Sequence, residues 1–128
     1  MTSKSNIVLA AIVGAAVGGA AIHGLHAQAK PKAYTVTELE TLDPKAAAEF
    51  ALRVQKIQEG AGGRNLRTGG GKVTAMEGPP PPQRIAITEW DNLDKAQAFF
   101  KSKEWADLAP ERDKALKTVR RYAVEQRD

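Results

Sequence analysis

Glu77, Arg64 and Arg112 have the types and settings for acid–base or anion chemistry. In KVTAMEG, residues 72–78, Val73, Ala75 and Glu77 alternate against Thr74 and Met76, so an extended segment would turn Glu77 inward. A buried carboxylate holds its proton to higher pH and can then serve as a general base. The plainer reading is a carboxylate satisfied by Arg64, Arg84 or backbone N–H groups. Arg64 follows Gly62 and Gly63, placed to reach either an anionic ligand or a surface acid. Arg112 carries the planar fork that clamps a carboxylate through two parallel hydrogen bonds, or ties its helix to a neighbouring acid. Trp90 and Trp105 could wall a ligand site; with Phe99 and Phe100 they equally suit a core.

The stretch GAGGRNLRTGGG, residues 60–71, raises the question of phosphate binding. The dinucleotide fingerprint G-x-G-x-x-G started at Gly60 needs a glycine where Asn65 stands, and it needs a helix to follow rather than precede. The P-loop pattern ending at Gly71-Lys72 has Leu66 for its first glycine and Val73 for its hydroxyl residue. Both patterns fail. Gly60 to Gly63 read as a helix end and a turn into a strand, and Gly69 to Gly71 as a bulge or hairpin.

The chain has 128 residues, no cysteine and two histidines, His23 and His26. Residues 1–29 hold one charge, Lys4, followed by the apolar run 7–22 and the small-x-small pattern Ala27-Gln28-Ala29. This composition predicts a secretory signal peptide ahead of a domain over 30–128, with a periplasmic or secreted product. The alternative is a retained anchor holding the protein to the inner membrane through residues 7–22, a run shorter than the ~20 residues a spanning helix uses. Cleavage would leave no histidine and no cysteine. That excludes a Ser-His-Asp triad, a cysteine nucleophile, a histidine-ligated haem and the usual zinc sites. No acidic loop of calcium-binding pattern is present, so no cofactor and no metal are expected. The net charge of +4 falls to +3 without Lys4. The cations are scattered among acids, so nucleic acid is not an expected partner.

The elements that must position these residues follow from periodicity. AYTVTELET, residues 33–41, predicts a strand. Asp43 and Pro44 open a helix whose Ala47, Phe50, Val54 and Ile57 share one face, with Gly60 to end it in a left-handed conformation. RNLRT, residues 64–68, predicts a short strand, and 72–78 its continuation or hairpin partner. GPPPPQ is a stiff connector. RIAITEW, residues 84–90, is the clearest strand. Asp91 or Asn92 caps a second helix, Ser102 recaps a further turn that Pro110 interrupts, ERDKALK continues helically, and residues 118–126 form a last strand. The order is that of an α+β, ferredoxin-like βαββαβ fold with an antiparallel sheet. Ile85 and Ile87 oppose Ala86, Thr88 and Trp90, and Val119 and Ala123 oppose Tyr122 and Val124. A sheet apolar on both faces predicts a homodimer packed sheet to sheet.

Gly62-Gly63, Glu77-Gly78, Trp90, Ser102 with Trp105, and Arg112 occur in an order that resembles the bacterial domain of unknown function 1330 family over about residues 33–126. The resemblance implies the dimeric α/β-barrel superfamily, which holds cofactor-free monooxygenases, haem-degrading enzymes, isomerases and ligand sensors. Two classes of function follow. One is a binding protein of the cell envelope, holding a small molecule or contacting a partner. The other is a cofactor-free isomerase or monooxygenase-like catalyst with Glu77 as base and Arg64 or Arg112 steadying an enolate.

Overall fold

A computed structural model describes residues 30–127. The signal-peptide or anchor segment 1–29 lies outside the described residues. Strand β1 (Ala33–Thr41) forms where Tyr, Val and Thr favour a pleated backbone. Helix α1 (Pro44–Gly60) starts where the Asp43 carboxylate accepts from the backbone N–H groups of Lys45 and Ala46, each at 3.1 Å. Its last helical residue is Gly60, but the left-handed turn falls two places later, at Gly62, with φ 92°. Gly63 then passes over the Trp90 ring so closely that a Cβ there would lie 2.8 Å from the indole Cη2. Only glycine fits that crossing.

Strand β2 is two residues, Arg64–Asn65, far shorter than the expected 64–68. Residues 72–78 form no strand at all. The reason lies at the edge of β3 (Arg84–Trp90). Leu66 N–H donates to the Ile87 carbonyl, and the Thr68 hydroxyl donates to the Ile85 carbonyl and accepts from Ile87 N–H. The ladder positions that 72–78 would need are occupied by the 66–68 segment, partly through a side chain.

Helix α2 (Leu93–Phe100) is capped by Asn92, whose side-chain oxygen accepts from Lys95 N–H at 2.9 Å. Helix α3 (Lys103–Asp107) is capped by Ser102, and α4 (Ala109–Ala115) restarts with Pro110 in its first turn. Strand β4 (Leu116–Glu125) begins two residues before the expected boundary. The sheet order is β2-β3-β1-β4, antiparallel throughout. This is the ferredoxin-like α+β arrangement.

Register sorts the two faces. Ala33, Thr35, Thr37 and Leu39 of β1 lie opposite Trp90, Thr88, Ala86 and Arg84 of β3. This is the helix-covered face, and it packs Leu39 and Trp90 against Phe50, Phe99, Trp105, Leu108 and Leu116. The outer face carries Tyr34, Val36, Ile85, Ile87, Tyr122 and Val124. A bulge between Glu38 and Leu39 in the β1–β4 ladder leaves Val119 without a cross-strand partner. Val119 is 47% exposed, and the bulge breaks the strict alternation that would have put it on one side with Ala123.

Candidate functional site

Helix α1 does not close fully onto the sheet. Between them lies a cavity of about 400 Å³, within the range of small-molecule sites. Its floor is Thr37 and Leu39 of β1 with Ala86 of β3, and its roof is Phe50, Ala51 and Val54 of α1. One end is aromatic, formed by Phe100 and Trp105; the rim opposite is Asn65, Arg67, Gly69 and Gly70 from the glycine-rich stretch. A shallower hollow of about 530 Å³ adjoins the aromatic end and shares Trp105, Arg112 and Arg121 with it.

The charged lining is of one sign. Arg67, Arg84, Arg112 and Arg121 reach the cavity, and no aspartate or glutamate lines it. Arg121 is the central group. It stands on β4 opposite Thr37, and its Nε donates to the Thr37 hydroxyl at 3.0 Å. Its guanidinium lies 4.6 Å from the Phe100 ring centroid and 4.8 Å from that of Trp105. Arg112 approaches the same Trp105 ring at 5.0 Å. Burial, with the neighbouring Arg112 charge, pushes the Arg121 guanidinium down to about 10. At neutral pH it is still a cation, half-buried beside a second cation. Ring faces stabilise such a charge only partly. An anion placed between the two guanidinium groups would complete the site.

The residues expected from sequence are scattered by the fold. Glu77 is exposed in the connection between β2 and β3 and does not line the cavity. With no strand at 72–78, the alternation that would have turned it inward has no structural counterpart. Arg64 is also off the cavity, on β2, ion-paired to Glu89 rather than to Glu77. Trp90 is 1% exposed and belongs to the core, where its indole N–H donates to the Thr35 hydroxyl at 3.1 Å. Trp105 and Arg112 do meet at the cavity, and Arg112 also donates through Nε to Asp113 at 3.3 Å. Arg121 was hidden in TVRRYAVEQ as one of two adjacent strand cations. Its only sequence signal was parity with Ala123, on the side away from Tyr122 and Val124.

The Ser102 position seen in the sequence is structural. Its hydroxyl donates to the Phe99 carbonyl at 2.6 Å and accepts from Trp105 N–H at 3.2 Å. It therefore sets where the Trp105 ring enters the cavity wall. Among the described residues no cluster of acidic side chains could hold a metal ion, and no helix is long and apolar enough to cross a membrane.

Residues 32–126 match the family described as Domain of unknown function (DUF1330). No curated protein sequence matches the chain. Solved structures share its fold, and two illustrate it. RPA0582, a protein of unknown function from Rhodopseudomonas palustris, superposes with a TM-score of 0.60 at 12% identity, over 84% of this chain and 92% of that one. SnoaB, a cofactor-independent oxygenase from Streptomyces nogalater, gives 0.57 at 11% identity, over 77% of this chain and 95% of that one. At this identity the likeness is one of fold.

Proposed function

The chain belongs to the DUF1330 family, and from that membership and the cavity we propose that it binds a small organic anion between α1 and the sheet, as a homodimer. The observation that carries this reading is Arg121: a half-buried cation on two aromatic rings, beside Arg112, in a lining without an acid. The apolar floor and roof suit the body of the ligand, and the guanidinium pair suits its charged end. The dimer rests on the outer face, where Tyr122 is 46% and Val124 55% exposed beside Val36 and Ile87. Placement outside the cytoplasm rests on the composition of residues 1–29 alone, and fractionation of the producing cell tests it.

Native mass spectrometry of the protein purified from its producing cell tests the binding. The expected result is a two-chain mass with a reproducible small adduct that disappears in Arg121→Met. A protein that carries no adduct, and whose melting temperature no organic acid raises, overturns the reading.

A catalytic reading uses the same arginines. SnoaB is described as a cofactor-independent oxygenase, and two guanidinium groups are suited to steadying an enolate. The lining supplies no carboxylate, lysine, tyrosine or histidine as a base. A substrate that enters already ionised would need none. Dioxygen consumption with such a substrate, undiminished in Glu77→Gln and abolished in Arg121→Met, would favour catalysis over simple binding.

A further inference from the structure

The arginines divide by position. Arg53, Arg64 and Arg120 lie off the cavity, and each is ion-paired, with Glu111, Glu89 and Glu38 respectively. Arg67, Arg84 and Arg121 line the cavity, and none has a carboxylate partner among the described residues. Arg112 also lines the cavity, with its Nε engaged by Asp113 at 3.3 Å, so three of the four lining guanidinium groups are left to a largely apolar recess that has room for a ligand's charge.

The inner cations also stand on opposite sides of β1. Arg84 of β3 lies opposite Leu39, and Arg121 of β4 lies opposite Thr37. Two strand spacings across and two residues along separate their Cα atoms by roughly 12 Å. Arg112 joins Arg121 at the Trp105 end; Arg67 joins Arg84 at the glycine-rich rim. Leu39 and Ala86 form the floor between the two groups.

Arg67 adds an independent mark. Its φ is 59°, and it is the one residue other than glycine with positive φ among those described. Its N–H donates to the Asn65 side-chain oxygen at 2.7 Å, which holds the turn. L-residues disfavour this conformation, and glycine would adopt it freely. The turn stands beside a run of glycines, yet the left-handed position is an arginine, which brings a guanidinium to the rim.

We infer that the ligand is a dianion with an apolar spacer, a linear dicarboxylate in its simplest form, held by Arg121 and Arg112 at one end and by Arg84 and Arg67 at the other. This rests on the cavity being the binding site proposed above. Isothermal titration of the full chain with dicarboxylates from succinate to sebacate, each set against the monocarboxylate of equal length, tests it. One length is expected to bind at least about tenfold more tightly than its monocarboxylate, as a second charge-assisted contact would give. Arg84→Ala should erase that difference and leave the monocarboxylate unchanged. Arg67→Gly should reduce the difference without lowering the melting temperature, and it carries the test if Arg84→Ala does not fold. Equal binding of both series, with neither variant changing it, overturns the dianion and leaves a monoanion site. Binding of neither series overturns the cavity reading together with the dianion.

Discussion

On the outer face of the sheet Arg120 meets Glu38, and Arg64 meets Glu89 together with Lys32, so each cation stands in an ion pair beside Tyr34, Val36, Ile87 and Tyr122. On the helix-covered face Arg84 and Arg121 stand over Leu39 and Ala86 with no acid in the lining. The same residue type does different work on the two sides. Paired arginines let a mostly apolar face carry charge without an unbalanced field, which suits contact with a second copy. Unpaired arginines in a recess create a positive potential that an anion relieves. The apolar groups differ in parallel. Those of the outer face lie open, whereas those of the inner face close around Trp90 and part only at the cavity.

The contrast breaks most readily at the outer face. In the homodimer proposed above, Val124→Asp would place a carboxylate from each chain within the sheet-to-sheet contact. Burying an unpaired charge should weaken the dimer by about a hundredfold or more, measured by sedimentation, with anion binding by the separated chains as the comparison. If the dimer persists unchanged, the outer face is not its interface.

Arg121→Met tests the inner face. Methionine keeps contact with Phe100 and Trp105 and removes the half-buried charge. The melting temperature should hold or rise, while affinity for an organic anion should fall by about ten- to a hundredfold. A loss of stability with affinity intact would make Arg121 a structural residue.

The inner face also has a closed end, and Gly63→Ala probes it. The added methyl would meet the Trp90 ring and the Thr88 methyl at 2.8 to 3.0 Å, and overpacking of this kind costs about 1–3 kcal/mol. Chemical denaturation should show the loss. Full stability would mean that β2 can shift away from Trp90.

The smallest effect belongs to the outer ion pairs. Hydrogen bonds from Arg64 and then Lys32 hold the Glu89 carboxyl down from 4.5 to about 2. The folded value lies below the unfolded one, so this stabilisation is complete above about pH 4.5 and fades as the pH falls toward 2. Wild type and Glu89→Gln should therefore differ slightly at neutral pH and converge in acid, measured as melting temperature against pH. A constant difference down to pH 2 would remove the ion pair as its source.

Strands 33–41 and 84–90 were legible residue by residue, because runs of β-branched and aromatic residues leave few alternatives. The capped helix starts were legible because Asp43, Asn92 and Ser102 are short polar residues ahead of apolar periodicity. The segment 72–78 misled for a physical reason. Alternation shows that a strand could form, but a strand needs an unpaired edge, and Thr68 had already taken that of β3. Glu77 lost its inward direction with that strand.

Local composition by itself determined strands 33–41 and 84–90, the helix starts at Asp43 and Ser102, the glycine turn into β2 and the absence of histidine and cysteine chemistry from residues 30–128. Those properties depend on neighbours within a few residues or on what the chain lacks. Only the tertiary structure decided which arginines are paired. Arg67, Arg84, Arg112 and Arg121 come from four separate segments, and their convergence depends on strand register, on the bulge in the β1–β4 ladder and on how far α1 stands from the sheet. Charge acts through distance in space, and the sequence orders these residues only along the chain.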